Sequence, residues 1–76
     1  MGKYNVIRDD QEYVVKVSFY GDSITPLYKF KVYRPRKNWF NKLIYVEKIH
    51  RDKIQSMSQS AEKVVDSYLG VLKLWD

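Results

Sequence analysis

The sequence predicts an α+β fold, a three- to four-stranded antiparallel meander with one C-terminal helix packed on one face. Three observations lead to this prediction. Apolar and polar residues alternate through the first half of the chain, turn-forming residues separate the alternating segments, and the apolar spacing becomes three or four beyond residue 53. With 76 residues, the chain is expected to form one domain over residues 1–76, because a second core could not be enclosed by what remains.

The first two predicted strands form a hairpin. Tyr4 to Ile7 is a short apolar-containing segment, and the polar residues 8–11 that follow it suit a turn. A longer segment begins at Glu12 and alternates with a period of two, which is typical of a half-buried strand. Its polar side carries Lys16. Its apolar side consists of Tyr13, Val15, Val17 and Phe19.

A third strand is predicted after a second turn. Gly21 supplies unusual backbone dihedrals, and Pro26 biases the preceding residue away from the helical region. Alternation resumes at Leu27 and places Tyr28, Phe30 and Val32 on one side. If this strand pairs with the second one, we expect a common outer face, which consists of Lys16, Tyr20, Lys29, Lys31 and Tyr33.

An exposed basic loop and a fourth strand are predicted next. Pro35 donates no ladder hydrogen bond, so residues 34–38 should interrupt the sheet. Leu43 to Ile49 is rich in β-branched and aromatic residues, which favours a last strand over a short helix.

The C-terminal segment has the apolar spacing of a helix. Its stripe consists of Ile54, Met57, Ala61, Val64, Val65, Tyr68, Leu72 and Trp75. Two starts are compatible with the pattern: Asp52 as the N-cap, or Ser58 after an extended linker over residues 51–57. Gly70 can end the helix and leave residues 71–75 extended, but the pattern favours a helix that reaches about Leu72.

Several classes of function lack their sequence signatures. There is no cysteine, the three glycines are isolated, and His50 is the only histidine. A thiolate metal site, a phosphate-binding glycine loop and a catalytic triad are therefore not expected, and we predict no enzyme activity, no metal and no cofactor. No apolar run approaches the ~20 residues of a membrane span, so we expect a soluble protein of the cytoplasm with no membrane partner.

The basic residues are concentrated in the middle of the chain. Leu27 to Lys53 has a net charge of +7, whereas the segments before and after it each sum to −1. Aromatic residues are interleaved with these cations. Such a surface suits a polyanion or an acidic partner.

The predicted contact surface combines the open sheet face with the loop that follows the third strand. Its residues are Lys16, Lys29, Lys31, Tyr33, Arg34, Arg36, Lys37, Trp39 and Lys42. The cations would neutralise phosphates, and the aromatic rings would stack on bases or line a groove. The alternative explanation is that the lysines serve solubility and protect sheet edges, while Trp39 belongs to the core.

Two kinds of partner are compatible with this surface. We expect nucleic acid, and the alternative is a small adaptor or inhibitor that docks on an acidic protein, with a homodimer as one assembly. Apolar residues near the C-terminus exceed what a helix over one small sheet needs. Leu72, Leu74 and Trp75 are therefore candidates for a protein interface.

Overall fold

The computed structural model describes residues 2–35 and 42–75, with the exception of the side chain of Trp75. Four antiparallel strands form one open sheet in the order β1-β2-β3-β4, and one helix follows them. The strands are β1 (Gly2–Arg8), β2 (Gln11–Gly21), β3 (Pro26–Arg34) and β4 (Lys42–His50). A 3₁₀ turn (Arg51–Lys53) leads to the helix α1 (Met57–Trp75). The predicted α+β meander is confirmed.

The hairpin between β1 and β2 turns on two residues. Asp9 and Asp10 have φ angles of 54° and 63°, and Arg8 pairs directly with Gln11. Two successive positive φ angles define a type I′ turn, whose twist matches that of the flanking strands, and Asp tolerates this conformation better than most residues do.

Gly21 begins the connection between β2 and β3. Its φ is +111°, and a Cβ at this position would overlap the carbonyl oxygen of Thr25. Asp22 then accepts hydrogen bonds from the backbone N–H groups of Ile24 and Thr25, at 2.9 and 2.8 Å. Both features are needed because the chain must reverse within residues 22–25.

The core lies between the sheet and the helix. Alternate residues of the strands, with one face of α1, form a single buried cluster. Its members are Val6, Tyr13, Val15, Val17, Phe30, Val32, Ala61, Val64 and Val65. Among the described residues, one helix covers one side of the sheet and no second element packs on the other side, where Val14 is nevertheless buried.

The helix begins one residue before the alternative start at Ser58 and ends later than the sequence pattern favours. The backbone N–H of Ser60 donates to the carbonyl of Ser56 at 2.9 Å, so an N-cap at Asp52 is wrong. The predicted extended linker is correct only in part, because residues 51–53 form a 3₁₀ turn and Met57 already belongs to the helix. The helix also continues through Gly70 to Trp75. A single glycine costs a helix only about 1 kcal/mol relative to alanine, and the hydrogen-bonded turns on both sides of it outweigh that cost.

Polar and aromatic contacts orient the helix on the sheet. Arg8 donates hydrogen bonds to Asp66 at 2.9 Å and to Glu62 at 3.2 Å, and these bonds raise the pKa of Arg8. The ring of Tyr68 packs edge-on against Tyr13 and at a tilt against Tyr45, with centroid distances of 6.2 and 5.8 Å. The helix therefore makes side-chain contacts with β1, β2 and β4.

We expect the substitution Gly70→Ala to stabilise the domain by about 1 kcal/mol. No heavy atom lies within 4 Å of a Cβ built at Gly70, so the added methyl group meets no obstacle, while the unfolded chain loses freedom. Thermal denaturation followed by circular dichroism should show a midpoint about 4–8 °C higher. A lower midpoint would mean that residue 70 requires a conformation that only glycine adopts readily.

Candidate functional site

The uncovered face of the sheet carries a row of three lysines. Lys3 of β1 pairs with Lys16 of β2, and Lys16 pairs with Lys31 of β3. Directly opposed residues of antiparallel strands have their Cβ atoms about 4.5–5.5 Å apart and point to the same face. The three lysine side chains therefore leave the sheet side by side across the first three strands.

A second row, two residues further along the strands, adds two lysines. Ser18 of β2 pairs with Lys29 of β3, and Lys29 pairs with Lys48 of β4. We call the five lysines of the two rows the lysine face. Its members are Lys3, Lys16, Lys29, Lys31 and Lys48.

Two tyrosines border the lysine face and contact its ammonium groups. The Nζ atom of Lys16 lies 5.0 Å from the ring centre of Tyr33. The Nζ atoms of Lys48 and Lys29 lie 4.2 and 5.5 Å from the ring centre of Tyr20. These are cation–π distances, and each such contact at an exposed site contributes about 0.5–1 kcal/mol.

Carboxylates do not neutralise the lysine face within residues 2–35 and 42–75. The ion pairs of this part of the chain join Arg8 to Glu62 and Asp66, and Asp52 lies beside His50, whose Nδ1 accepts a hydrogen bond from the Asp52 backbone N–H. Strand alternation places one described carboxylate, Glu12, on the open side, four residues along β2 from Lys16. The face therefore keeps most of its positive charge.

This arrangement lowers the stability of the fold. Like charges placed directly opposite each other on neighbouring strands are destabilising, whereas opposite charges contribute roughly 0.2–1 kcal/mol per pair. Three such like-charge pairs occur here: Lys3 with Lys16, Lys16 with Lys31, and Lys29 with Lys48. Cations held in register in this way give the open face a local positive potential.

The structure brings together some of the predicted contact residues. Lys16, Lys29, Lys31 and Tyr33 share the open face, as the strand alternation predicts. Arg34 and Lys42 pair with each other at the end of the sheet. Strand alternation places their side chains on the side opposite the lysines. The strands therefore do not bring Arg34 and Lys42 onto the same surface as Lys16, Lys29 and Lys31. Residues 36–41, and with them the predicted contacts Arg36, Lys37 and Trp39, lie outside the described residues.

The predicted protein interface lies at the end of the helix. Leu72 is 43% exposed and Leu74 is 85% exposed, and Val71 beside them is also exposed. Trp75 ends the helix, and its side chain lies outside the described part of the chain.

Sequence reasoning missed Lys3 and Lys48 as members of the site. The signal for Lys3 was present, because a two-residue turn at Asp9 and Asp10 fixes the register that sets Lys3 opposite Lys16. The signal for Lys48 was absent. The pairing of β3 with β4 shifts at an irregularity between Val32 and Tyr33, and residue patterns do not reveal such a shift.

A cleft of about 360 Å³ lies between the edge strand β4, the 3₁₀ turn and α1. Its polar lining consists of Glu47, Lys48, His50, Lys53, Ser60, Lys63 and Ser67, so Lys48 of the lysine face also borders it. Nearby, the hydroxyl of Tyr45 donates to Glu47 at 2.8 Å, and this bond, together with partial burial, raises the pKa of Tyr45. The described residues contain no group of three metal-ligating side chains in this cleft or elsewhere.

Fold and site together define a small α+β meander with one face packed on a helix and the other face cationic. Comparison of the chain with protein-family models, with curated proteins and with solved structures returned no match. In the part of the chain that the structure describes, no helix combines the length and the apolarity that a membrane crossing requires.

Proposed function

We propose that this chain is a non-enzymatic binding module of the cytoplasm whose partner is a nucleic acid, held on the lysine face. The observation that supports the proposal is the register of five lysines with no carboxylate partners among the described residues. Ordinary solubility lysines would be dispersed over the surface and interspersed with acids.

Binding would be mainly electrostatic. Each lysine that neutralises a phosphate releases condensed counterions, and this release is the driving force of sequence-independent binding. Lysine is a compact point charge on a flexible stem, so it tracks phosphates without reading base edges. We therefore expect little sequence specificity from the lysine face itself.

The salt dependence of binding tests the proposal. If all five lysines contact phosphates of duplex DNA, log Kobs should fall with log[salt] with a slope of about −4.5. Fluorescence anisotropy with a random duplex should then show an affinity loss of roughly 10²- to 10³-fold between about 50 and 200 mM salt. A steeper slope would indicate further contacts, for which Arg36 and Lys37 are the candidates. Failure of both duplex and single-stranded DNA to bind at low salt would refute the proposal.

A second candidate function rests on the exposed apolar end of the helix. Leu74 is 85% exposed and Leu72 is 43% exposed, which suits a contact with another protein or with a second copy of the chain. The chain would then act as an adaptor or inhibitor whose cations meet an acidic partner. Stoichiometric capture of one acidic protein from lysate, with no retention on DNA or phosphocellulose at low salt, would favour this function. For the homodimer, molecular mass in solution should rise with concentration.

A further inference from the structure

The aromatic and cationic side chains of the open face follow one another in a regular order along the strands. Along β2, the first row pairs Val14 with Tyr33 of β3. The two lysine rows come next, and the row after them contains Tyr20. Val14 and Tyr20 are six residues apart on β2, which corresponds to about 20 Å. The face thus presents an aromatic ring at each end and cations between them.

The dimensions of the sheet argue against insertion into duplex DNA. Four strands spaced about 4.8 Å apart span about 14 Å before side chains are added, whereas the major groove of B-DNA is about 12 Å wide. A duplex would therefore meet the face only through its phosphate backbone, and the tyrosine rings would find no exposed base to contact.

The ring of Tyr20 is accessible for stacking, and Tyr33 is half-buried. Tyr20 is 45% exposed, and in the free protein the ammonium groups of Lys48 and Lys29 lie over its ring. A phosphate attracts an ammonium group more strongly than a ring face does, because it carries a full charge. Arrival of a nucleic-acid strand would draw the lysines to the phosphates and release the ring for a base.

We propose that the open face binds single-stranded nucleic acid, with bases stacked on Tyr20 and Tyr33 and phosphates along the lysine face between them. This inference rests on the proposed function and specifies its ligand. Stacking on aromatic side chains is largely independent of sequence, because every base has a π-face. It therefore adds affinity and strand preference to the electrostatic contacts without requiring a sequence motif.

Three probes of equal length separate stacking from charge: oligo(dT), the same oligonucleotide without bases, and a duplex. The abasic strand retains the phosphates but cannot stack. We expect oligo(dT) to bind more tightly than the abasic strand by roughly 5- to 150-fold for each stacked base, and more tightly than the duplex. The same measurement with oligo(rU) identifies whether DNA or RNA is the preferred strand.

Matched variants of the two tyrosines complete the test. Y20L/Y33L should lower the affinity for oligo(dT) to that for the abasic strand and leave the abasic affinity unchanged, because the lysine face remains. Y20F/Y33F retains both rings and should bind like the wild type. If the leucine variant fails to fold, the comparison of the three probes on the wild-type protein still tests whether bases stack on the open face.

The outcomes distinguish this inference from the function on which it rests. Equal affinity of the wild type for oligo(dT), the abasic strand and the duplex would overturn the inference and leave electrostatic nucleic-acid binding intact. Binding to none of the probes at low salt would overturn both.

Discussion

The substitution Lys16→Glu should weaken nucleic-acid binding by roughly 10- to 100-fold at about 100 mM salt and flatten the salt slope by at least about 0.9. Lys16 is the central member of the three-lysine row and pairs with Lys3 on one side and Lys31 on the other. A glutamate there removes one phosphate contact, attracts both neighbouring ammonium groups and repels phosphates. Anisotropy titrations over a range of salt concentrations measure both changes.

The same substitution should make the protein more stable. It replaces two like-charge pairs by two opposite-charge pairs, and the latter contribute roughly 0.2–1 kcal/mol each. The substitution also removes the cation–π contact of Lys16 with Tyr33, but the change from repulsion to attraction at two pairs outweighs this loss, so we expect the free energy of unfolding, measured in urea, to rise by about 1 kcal/mol. Loss of binding together with a gain in stability cannot result from damage to the fold.

Lys73→Glu is the matched control for this experiment. It lowers the net charge of +5 by the same two units, but Lys73 is exposed near the end of α1, the element packed on the other face of the sheet. Its affinity for DNA should stay within a few-fold of the wild type. Equal weakening by both substitutions would show that total charge, and not the lysine face, determines binding.

Phe30→Ala should have the largest effect on stability. Phe30 is fully buried in the middle of β3, where it pairs with Val17 of β2 and Glu47 of β4. Truncation of a buried phenylalanine costs about 3–5 kcal/mol through lost transfer free energy and the cavity left behind. A domain of this length has a total stability of roughly 4–11 kcal/mol. The melting temperature should therefore fall by roughly 12–40 °C. If the wild-type stability lies at the low end of its range, the variant will be unfolded at room temperature.

Phe19→Ala provides the comparison on the same side of the sheet. Phe19 is 46% exposed and makes an edge-to-face contact with Tyr28, at a centroid distance of 5.7 Å. Loss of such a pair costs about 0.5–1.5 kcal/mol beyond the apolar area that the half-buried ring removes from water. If Phe19→Ala proved as damaging as Phe30→Ala, the core would not be centred where the structure places it.

Much of the fold could be predicted because each element has a strong local signal. The alternation around Val15 and Val17, and again around Phe30 and Val32, identifies the buried side of two strands without any knowledge of their partners. The helix ends were harder to predict. Ile54 fits the apolar spacing of the helix yet lies before it, and Gly70 resembles a terminator yet lies within it, because capping contacts and solvent access decide such ends.

The candidate site was predictable only in part, because local signals identify a face but not the neighbours across it. Alternation within β2 and β3 was sufficient to set Lys16 and Lys31 on the polar side of their own strands. It did not show that β1 and β4 would bring Lys3 and Lys48 beside them.

The sequence by itself determined the secondary-structure elements, the buried side of the sheet and the excess of positive charge in the middle of the chain. Only the tertiary structure decided that five lysines meet in two rows, since strand register depends on turn geometry and on the irregularity between Val32 and Tyr33. The physical reason is that side-chain direction is a local property of the backbone, whereas distance between charges on different strands is a property of the pairing.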